Sequence, residues 1–200
     1  MSEHYYTKDP KVKSDRKTIS SVLCGKTLHF TTDAGVFSKG GVDFGSRLLV
    51  ESFETPTIDG DILDVGCGYG PIGLTIATLF PERHIQMVDV NERAIALSRE
   101  NAVQNHLTNT KIYPSDGLDS VNDSSFAAIL TNPPIRAGKD VVFAFYEKSF
   151  AKLRTGGALW VVIQKKQGAP SSAKHMEEIF GNVSVVAKRK GYYILKAIKD

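Results

Sequence analysis

The residues of this chain that could do chemistry fall at the ends of two apolar runs. Ile62 to Val65 stops in alternating glycines, Gly66-Cys67-Gly68-Tyr69-Gly70, with Asp64 just ahead of the first. Glycines there let the backbone take positive φ and come close to a ligand. A strand feeding such a loop in an α/β sheet puts that ligand at its carboxyl end. Gly68-Tyr69-Gly70-Pro71-Ile72-Gly73 satisfies a bare G-x-G-x-x-G nucleotide pattern, and Asp89 lies 21 positions after Gly68, near the distance expected of an acid on a ribose. Asp64 pulls the other way. A carboxylate at the mouth of the loop repels a pyrophosphate and suits a ligand with a cationic amino-acid end.

The second run, Phe126 to Leu130, ends at Thr131-Asn132-Pro133-Pro134-Ile135. Two prolines in succession hold the backbone extended and remove two donors. What remains is a set of acceptors, the Asn132 side-chain oxygen and the Pro133 carbonyl, suited to a planar amine with two hydrogens to donate. Such an amine is a poor nucleophile because its lone pair is delocalised. Accepting both hydrogens out of the plane favours the tetrahedral form and frees the lone pair. That is positioning and preorganised electrostatics, with no strong base needed before transfer. If Asn132 acts only as an acceptor, Asn132→Asp should keep more activity than Asn132→Ala.

The elements that must hold these residues are legible from periodicity and turn signals. Thr18–Leu23 and Thr27–Phe30 flank Gly25-Lys26 as a hairpin. A short amphipathic helix is expected over Asp43–Phe53, ended by Thr55-Pro56. After the glycine loop comes a helix starting on Pro71, with Ile72, Ile76, Leu79 and Phe80 on its apolar side. His84–Val90 reads as a strand, and Asn91 as the N-cap of a helix to about Asn105. Lys111–Tyr113 is a short strand ending at Pro114-Ser115-Asp116-Gly117. Lys139–Leu153 is helical, Gly156-Gly157 is expected to break it, and Ala158–Ile163 is a strand. A helix over Ser172–Phe180 precedes Val183–Ala187 and Tyr192–Ile198, two strands that a tight turn forces to pair antiparallel. Alternating strands and helices mean a parallel sheet covered on both faces, with the strand ends Asp64, Asp89, Asp116 and Asn132 facing one crevice. Taken alone, Asp89 reads as either a ribose-binding or a helix-capping acid, and Asp116 as either an adenine-binding or an ordinary turn aspartate.

The chain has 200 residues, 42% of them hydrophobic, enough for one α/β domain with a full core. It divides into an N-terminal arm, hairpin and helix over 1–54, with residues 1–16 a loosely docked arm, and a main domain over 55–200. A second substrate domain, usual in dinucleotide dehydrogenases, has no room here. No apolar run of about 18 residues is present, so nothing is expected to span a membrane. The polar start, MSEHYYTKDPKVKSDRK, is unlike a signal peptide. Cys24 and Cys67, with five His at no ligand spacing, indicate neither a metal site nor a disulfide framework. A reducing cytoplasm is the expected compartment. Residues 1–135 hold 12 Lys/Arg and 17 Asp/Glu, a net of −5; residues 136–200 hold 13 and 5, a net of +8. A basic C-terminal third on an acidic body suits a polyanion, or is a set of solvated faces.

The Asp-x-Gly-x-Gly-x-Gly loop resembles the first motif of S-adenosylmethionine-dependent methyltransferases with a Rossmann-like fold. Asn132-Pro133-Pro134 resembles the amino-methyltransferases that modify adenine, guanine or glutamine nitrogens. Taken with Gly35-Val36-Phe37-Ser38, Val42-Asp43-Phe44-Gly45-Ser46 and Ile135-Arg136-Ala137-Gly138-Lys139, the chain resembles, from about residue 15 to 198, the ribosomal RNA guanine-N2 methyltransferases of the RsmC type. Larger members of that family carry a degenerate copy of the domain in front. The resemblance implies a seven-stranded sheet, mostly parallel with an antiparallel last strand. It implies S-adenosylmethionine at Asp64, Gly66, Cys67, Gly68, Gly70, Asp89, Asn91, Asp116, Gly117 and Asn132, and transfer at Asn132, Pro133 and Pro134. Ribosomal RNA or a ribosomal subunit would be the partner, met by Phe37, Ile135, Arg136 and Lys139. Ile135 stands where the amino-methyltransferases usually have an aromatic residue stacked on the target; Gly35–Ser38 would fold over the pocket, with Phe37 supplying apolar surface. The alternatives are a glutamine or adenine N-methyltransferase and a non-catalytic scaffold that binds cofactor or RNA.

Overall fold

The computed structural model describes residues 13–200; residues 1–12, most of the expected arm, lie outside the described residues. The hairpin forms from β1 (Lys17–Leu23) and β2 (Lys26–Thr32). Helix α1 (Phe44–Ser52) follows, capped by Asp43, whose Oδ1 accepts the Ser46 N–H at 3.1 Å. The main sheet is built from β3 (Ile62–Val65), β4 (Ile85–Asp89), β5 (Thr110–Pro114), β6 (Phe126–Thr131), β7 (Leu153–Gln164), β8 (Ser184–Arg189) and β9 (Tyr192–Ile198). Helices α2 (Pro71–Leu79), α3 (Glu92–Gln104), α4 (Lys139–Lys152) and α5 (Ala169–Phe180) connect them.

The strand order is β5-β4-β3-β6-β7-β9-β8, with the last strand of the chain antiparallel to β7. This is the seven-stranded, mostly parallel sheet that the resemblance implies, with the hairpin as a separate two-stranded sheet. The chain winds outward from β3 to β5 and then returns to β6 on the other side. β3 and β6, side by side in parallel, therefore form a topological switch point, and ligands bind outside the carboxyl ends of such a pair.

Strand alternation sorts the core. Ile62, Met87, Leu130 and Trp160 point to the face covered by α1, α2 and α3, in one cluster with Leu28 and Phe30 of the hairpin. Leu63, Val88, Ile129 and Val161 point to the face covered by α4 and α5. The hairpin and α1 thus share a core with the sheet. Residues 13–16 are tied down as well: Asp33 accepts hydrogen bonds from the Ser14 hydroxyl and the Asp15 N–H.

One expectation needs correcting. Gly156-Gly157 does not break a helix ahead of a strand at Ala158. α4 ends at Lys152, and β7 starts at Leu153, running through both glycines past a shift of register against Phe126 and Ala128. A Cβ on Gly157 would lie 2.8 Å from the carbonyl oxygens of Arg154 and Phe126, so glycine serves close backbone approach within the irregular strand.

Candidate active site

A cavity of about 390 Å³ opens at the switch point between the loops after β3 and β6, within the size range of small-molecule sites. Its floor is the glycine loop. The Gly66 and Cys67 N–H groups both donate to the Val88 carbonyl, and Gly68 N–H donates to Asp89 Oδ2 at 2.8 Å. Asp89 Oδ1 accepts the Asn91 N–H, so this carboxylate braces two loops while standing half-buried on the cavity wall. Burial lifts its pKa above the ordinary carboxylate value despite these bonds. Gly68 has φ +57, and a Cβ there would meet nothing within 4 Å: the space above this backbone is left for a ligand.

Asp64 does not reach the cavity. It shares strand parity with Ile62, so it points under α2, where Oδ2 accepts the Gly73 N–H at 2.8 Å. Its other oxygen is buried without a partner, and burial pushes its pKa up to about 7. An acid on the N-terminus of α2 occupies a donor that a pyrophosphate would need, which disfavours a dinucleotide. Cys67 is buried in the lining, and desolvation pushes its thiol far above the usual range, as expected of an inert spacer.

Asn91 also lines the cavity, but its side chain serves structure. Oδ1 caps α3 by accepting the Arg93 and Ala94 N–H groups, and Nδ2 donates to the Gly35 carbonyl at 2.9 Å. Together with the Arg93 bond to the Ala34 carbonyl, this seats the 33–41 loop over the pocket, bringing Val36, Phe37 and Ser38 into the wall. Asp116 is exposed on the rim and Gly117 lies beside it.

On the opposite lip, Asn132 follows Leu130 in parity and turns toward α1. Its Nδ2 donates to Ser46 Oγ at 3.2 Å and approaches Asp43 Oδ1 at 3.4 Å. With the amide nitrogen directed there, the Asn132 oxygen is left as an acceptor on the cavity wall. Asp43 Oδ2 and the Tyr69 hydroxyl are buried without partners, and burial together with the Asp43 charge raises the Tyr69 pKa. The roles of Asp43 and Ser46 are absent from the sequence reading. Their local signals are the Asp-x-x-Ser cap ahead of an apolar helix and the Val42–Ser46 stretch that carries the resemblance.

The prolines are not simply extended. Ile135 N–H donates to the Pro133 carbonyl at 2.9 Å, with Pro134 at φ −76 and ψ 81, an inverse γ-turn. One Pro133 lone pair is therefore taken, and the other remains; Pro133 and Pro134 both line the cavity. The same turn carries Ile135 into a short 3-10 segment (Ile135–Ala137), where it packs against the α4–α5 core. Ile135, expected to meet substrate, thus presents no surface to the cavity. Lys139 also stands off the lining, exposed at the start of α4 with Nζ 4.9 Å from the Phe143 ring centroid. The Arg136 side chain lies outside the described residues.

Comparison with known proteins decides the family. Residues 27–196 match the methyltransferase small domain family. The chain belongs to it. It is 62% identical over its full length to an equally long Bacillus subtilis protein named uncharacterized protein YbxB. Over 88% of its length it is 34% identical to the Vibrio cholerae ribosomal RNA small subunit methyltransferase C, covering 51% of that protein. A solved structure of the T. thermophilus 16S rRNA N2 methyltransferase RsmC, in complex with AdoMet and guanosine, superposes with a TM-score of 0.83 at 28% identity. It covers 96% of this methyltransferase and 52% of that chain. The protein therefore spans about half the length of both named rRNA methyltransferases. No helix among the described residues is long and apolar enough to cross a membrane.

Proposed function

We propose that this methyltransferase modifies the exocyclic N2 amine of a guanine in ribosomal RNA. The observation that carries the reading is the orientation of Asn132, a residue of the cavity wall: Ser46 and Asp43 take its amide nitrogen, which leaves its oxygen to accept from another partner. The cofactor is S-adenosylmethionine, and the open backbone at Gly66 and Gly68 beside the Asp89 carboxylate fits it. When bound, it supplies an electrophilic methyl group. The chain's own residues prepare the acceptor. Asn132 Oδ1 and the remaining Pro133 lone pair accept the two amine hydrogens, favour the tetrahedral nitrogen, and stabilise the positive charge that grows on it. Val36 and Phe37 add apolar wall, which lowers the local dielectric and strengthens those contacts. The names of the V. cholerae and T. thermophilus relatives support ribosomal RNA, free or in a subunit, as substrate; the cytoplasm is the setting proposed with it.

The test is methyl transfer from tritiated S-adenosylmethionine to unmodified small-subunit ribosomal RNA and to assembled subunits, followed by nucleoside mapping. Label in N2-methylguanosine is expected. Label confined to adenine N6 or to a protein glutamine would replace the reading with its rival, and no transfer to any acceptor would favour a scaffold.

A further inference from the structure

The sheet brings a second set of residues to the edge that carries Asn132. β7 runs parallel to β6, with Val161 opposite Thr131, and continues three residues further to Gln164, which pairs with Tyr192 at the start of β9. The segment after β7 and the β8–β9 turn therefore both lie on the carboxyl rim. Lys165 N–H donates to the Gly191 carbonyl at 2.8 Å, joining the two. The turn residues Lys190 and Gly191 both have positive φ, +48 and +78, the geometry of a tight hairpin turn.

Gln164, Lys165, Lys166, Lys190 and Gly191 line a shallow hollow at this junction. Lys190 Nζ lies 4.8 Å from the ring centroid of Phe44, the first residue of α1 and the neighbour of Asp43, which approaches Asn132. With strands about 4.8 Å apart, β9 is only about 10 Å from β6 across the rim. Lys165, Lys166, Arg189 and Lys190 are exposed, and among the described residues no carboxylate pairs with any of them. Lys148, Lys174 and Lys196 elsewhere do have acidic partners.

We propose that this hollow is a phosphate cleft, in which Lys165, Lys166 and Lys190 hold the backbone of the RNA strand flanking the base presented to Asn132. This rests on RNA being the substrate and adds where the strand runs. Cations without carboxylate partners on the rim that carries Asn132 match the demands of a base turned out of its strand: the pocket reads the base, and the rim holds the neighbouring phosphates. The cleft also places substrate contacts away from Lys139.

The experiment compares the protein with a variant carrying Lys165→Gln, Lys166→Gln and Lys190→Gln. Binding to an unmodified small-subunit ribosomal RNA transcript is titrated at several salt concentrations. Each single-stranded phosphate contact contributes about 0.7 to the slope of log K against log salt, so the variant's slope should be shallower by about 2. Its S-adenosylmethionine Kd and Tm should be unchanged. Lys166→Gln alone should move the slope by about 0.7 and keeps the test available if the triple variant is unstable. A control with Lys26→Gln, Lys111→Gln and Lys174→Gln, away from this junction, should leave the slope unaltered. Equal slopes for wild type and triple variant, or the same loss in the control, would overturn the cleft while leaving RNA as substrate. A wild-type protein that binds no RNA would overturn both.

Discussion

The lip of the crevice after β3 and the lip after β6 are held by unlike means. After β3, the chain is fastened through its own backbone N–H groups: Gly66 and Cys67 donate to the Val88 carbonyl, Gly68 to the Asp89 carboxylate and, in α2, Gly73 to the Asp64 carboxylate. After β6, Asn132 is held by the side chains of Asp43 and Ser46, 89 and 86 residues away in sequence, with unpartnered polar atoms close by. The first lip keeps its shape without a ligand. The second keeps an acceptor free, because a group that must pair with a transition state cannot be satisfied beforehand.

The largest expected effect belongs to the first lip and its buried acid. Folded Asp64 holds its proton to about pH 7, whereas its ordinary value is 3.8. Between these values the folded state binds the extra proton, so stability falls as pH rises, by up to about 4 kcal/mol, and levels off above pH 7. Asp64→Asn keeps an acceptor for Gly73 and should remove most of that slope in denaturant titrations from pH 4 to 8. An unchanged profile would mean that Asp64 is already ionised in the fold.

Next comes the second lip. Asn132→Ala should lower the single-turnover rate at saturating S-adenosylmethionine by about a hundredfold to a thousandfold, with Kd for the cofactor little changed. The structure reverses the expectation for Asn132→Asp. A carboxylate there would face Asp43 at about the 3.4 Å now spanned by the amide, and like charges at that distance repel. Asp should do no better than Ala. An Asp variant more active than Ala would show that Asp43 does not hold this side chain.

Asp89→Ala tests the opposite lip by the opposite readout. Loss of a charged acceptor for Gly68 and Asn91 should weaken the cofactor Kd about tenfold to a hundredfold, read by calorimetry, while the saturated rate is largely kept. A rate loss without an affinity loss would erase the contrast between the lips. Asp43→Ala has the smallest effect on catalysis, about a tenfold fall in rate from a looser Asn132, together with about 1 kcal/mol for the lost helix cap. Asp43→Asn keeps a cap and an acceptor and should restore most of the rate; failure to do so would mean that the negative charge itself is required.

What the sequence determined by itself is local. Alternating glycines after an apolar run, Pro71 at a helix start, Asn91 as a cap and the tight turn ahead of Tyr192 each specify backbone geometry through their own sterics and hydrogen bonds, so the order of elements and the residues at strand ends could be read directly. Tertiary structure decided which way those residues face. Asp64 turns under α2 and Asn132 toward α1 because strand parity and the neighbouring core assign the faces. Ile135 leaves the cavity because the bond from its N–H to the Pro133 carbonyl folds the chain back onto α4 and α5. The glycines at 156 and 157 lie within β7, where a Cβ on Gly157 would meet the Phe126 and Arg154 carbonyls and one on Gly156 the Ile58 side chain. Lys165, Lys166 and Lys190 meet only because β9 inserts beside β7 and returns its first residues to the carboxyl rim. Apart from the local turn at Pro133–Ile135, each of these depends on contacts made across long separations in the chain, and such contacts leave no periodic or compositional trace near the residues they place.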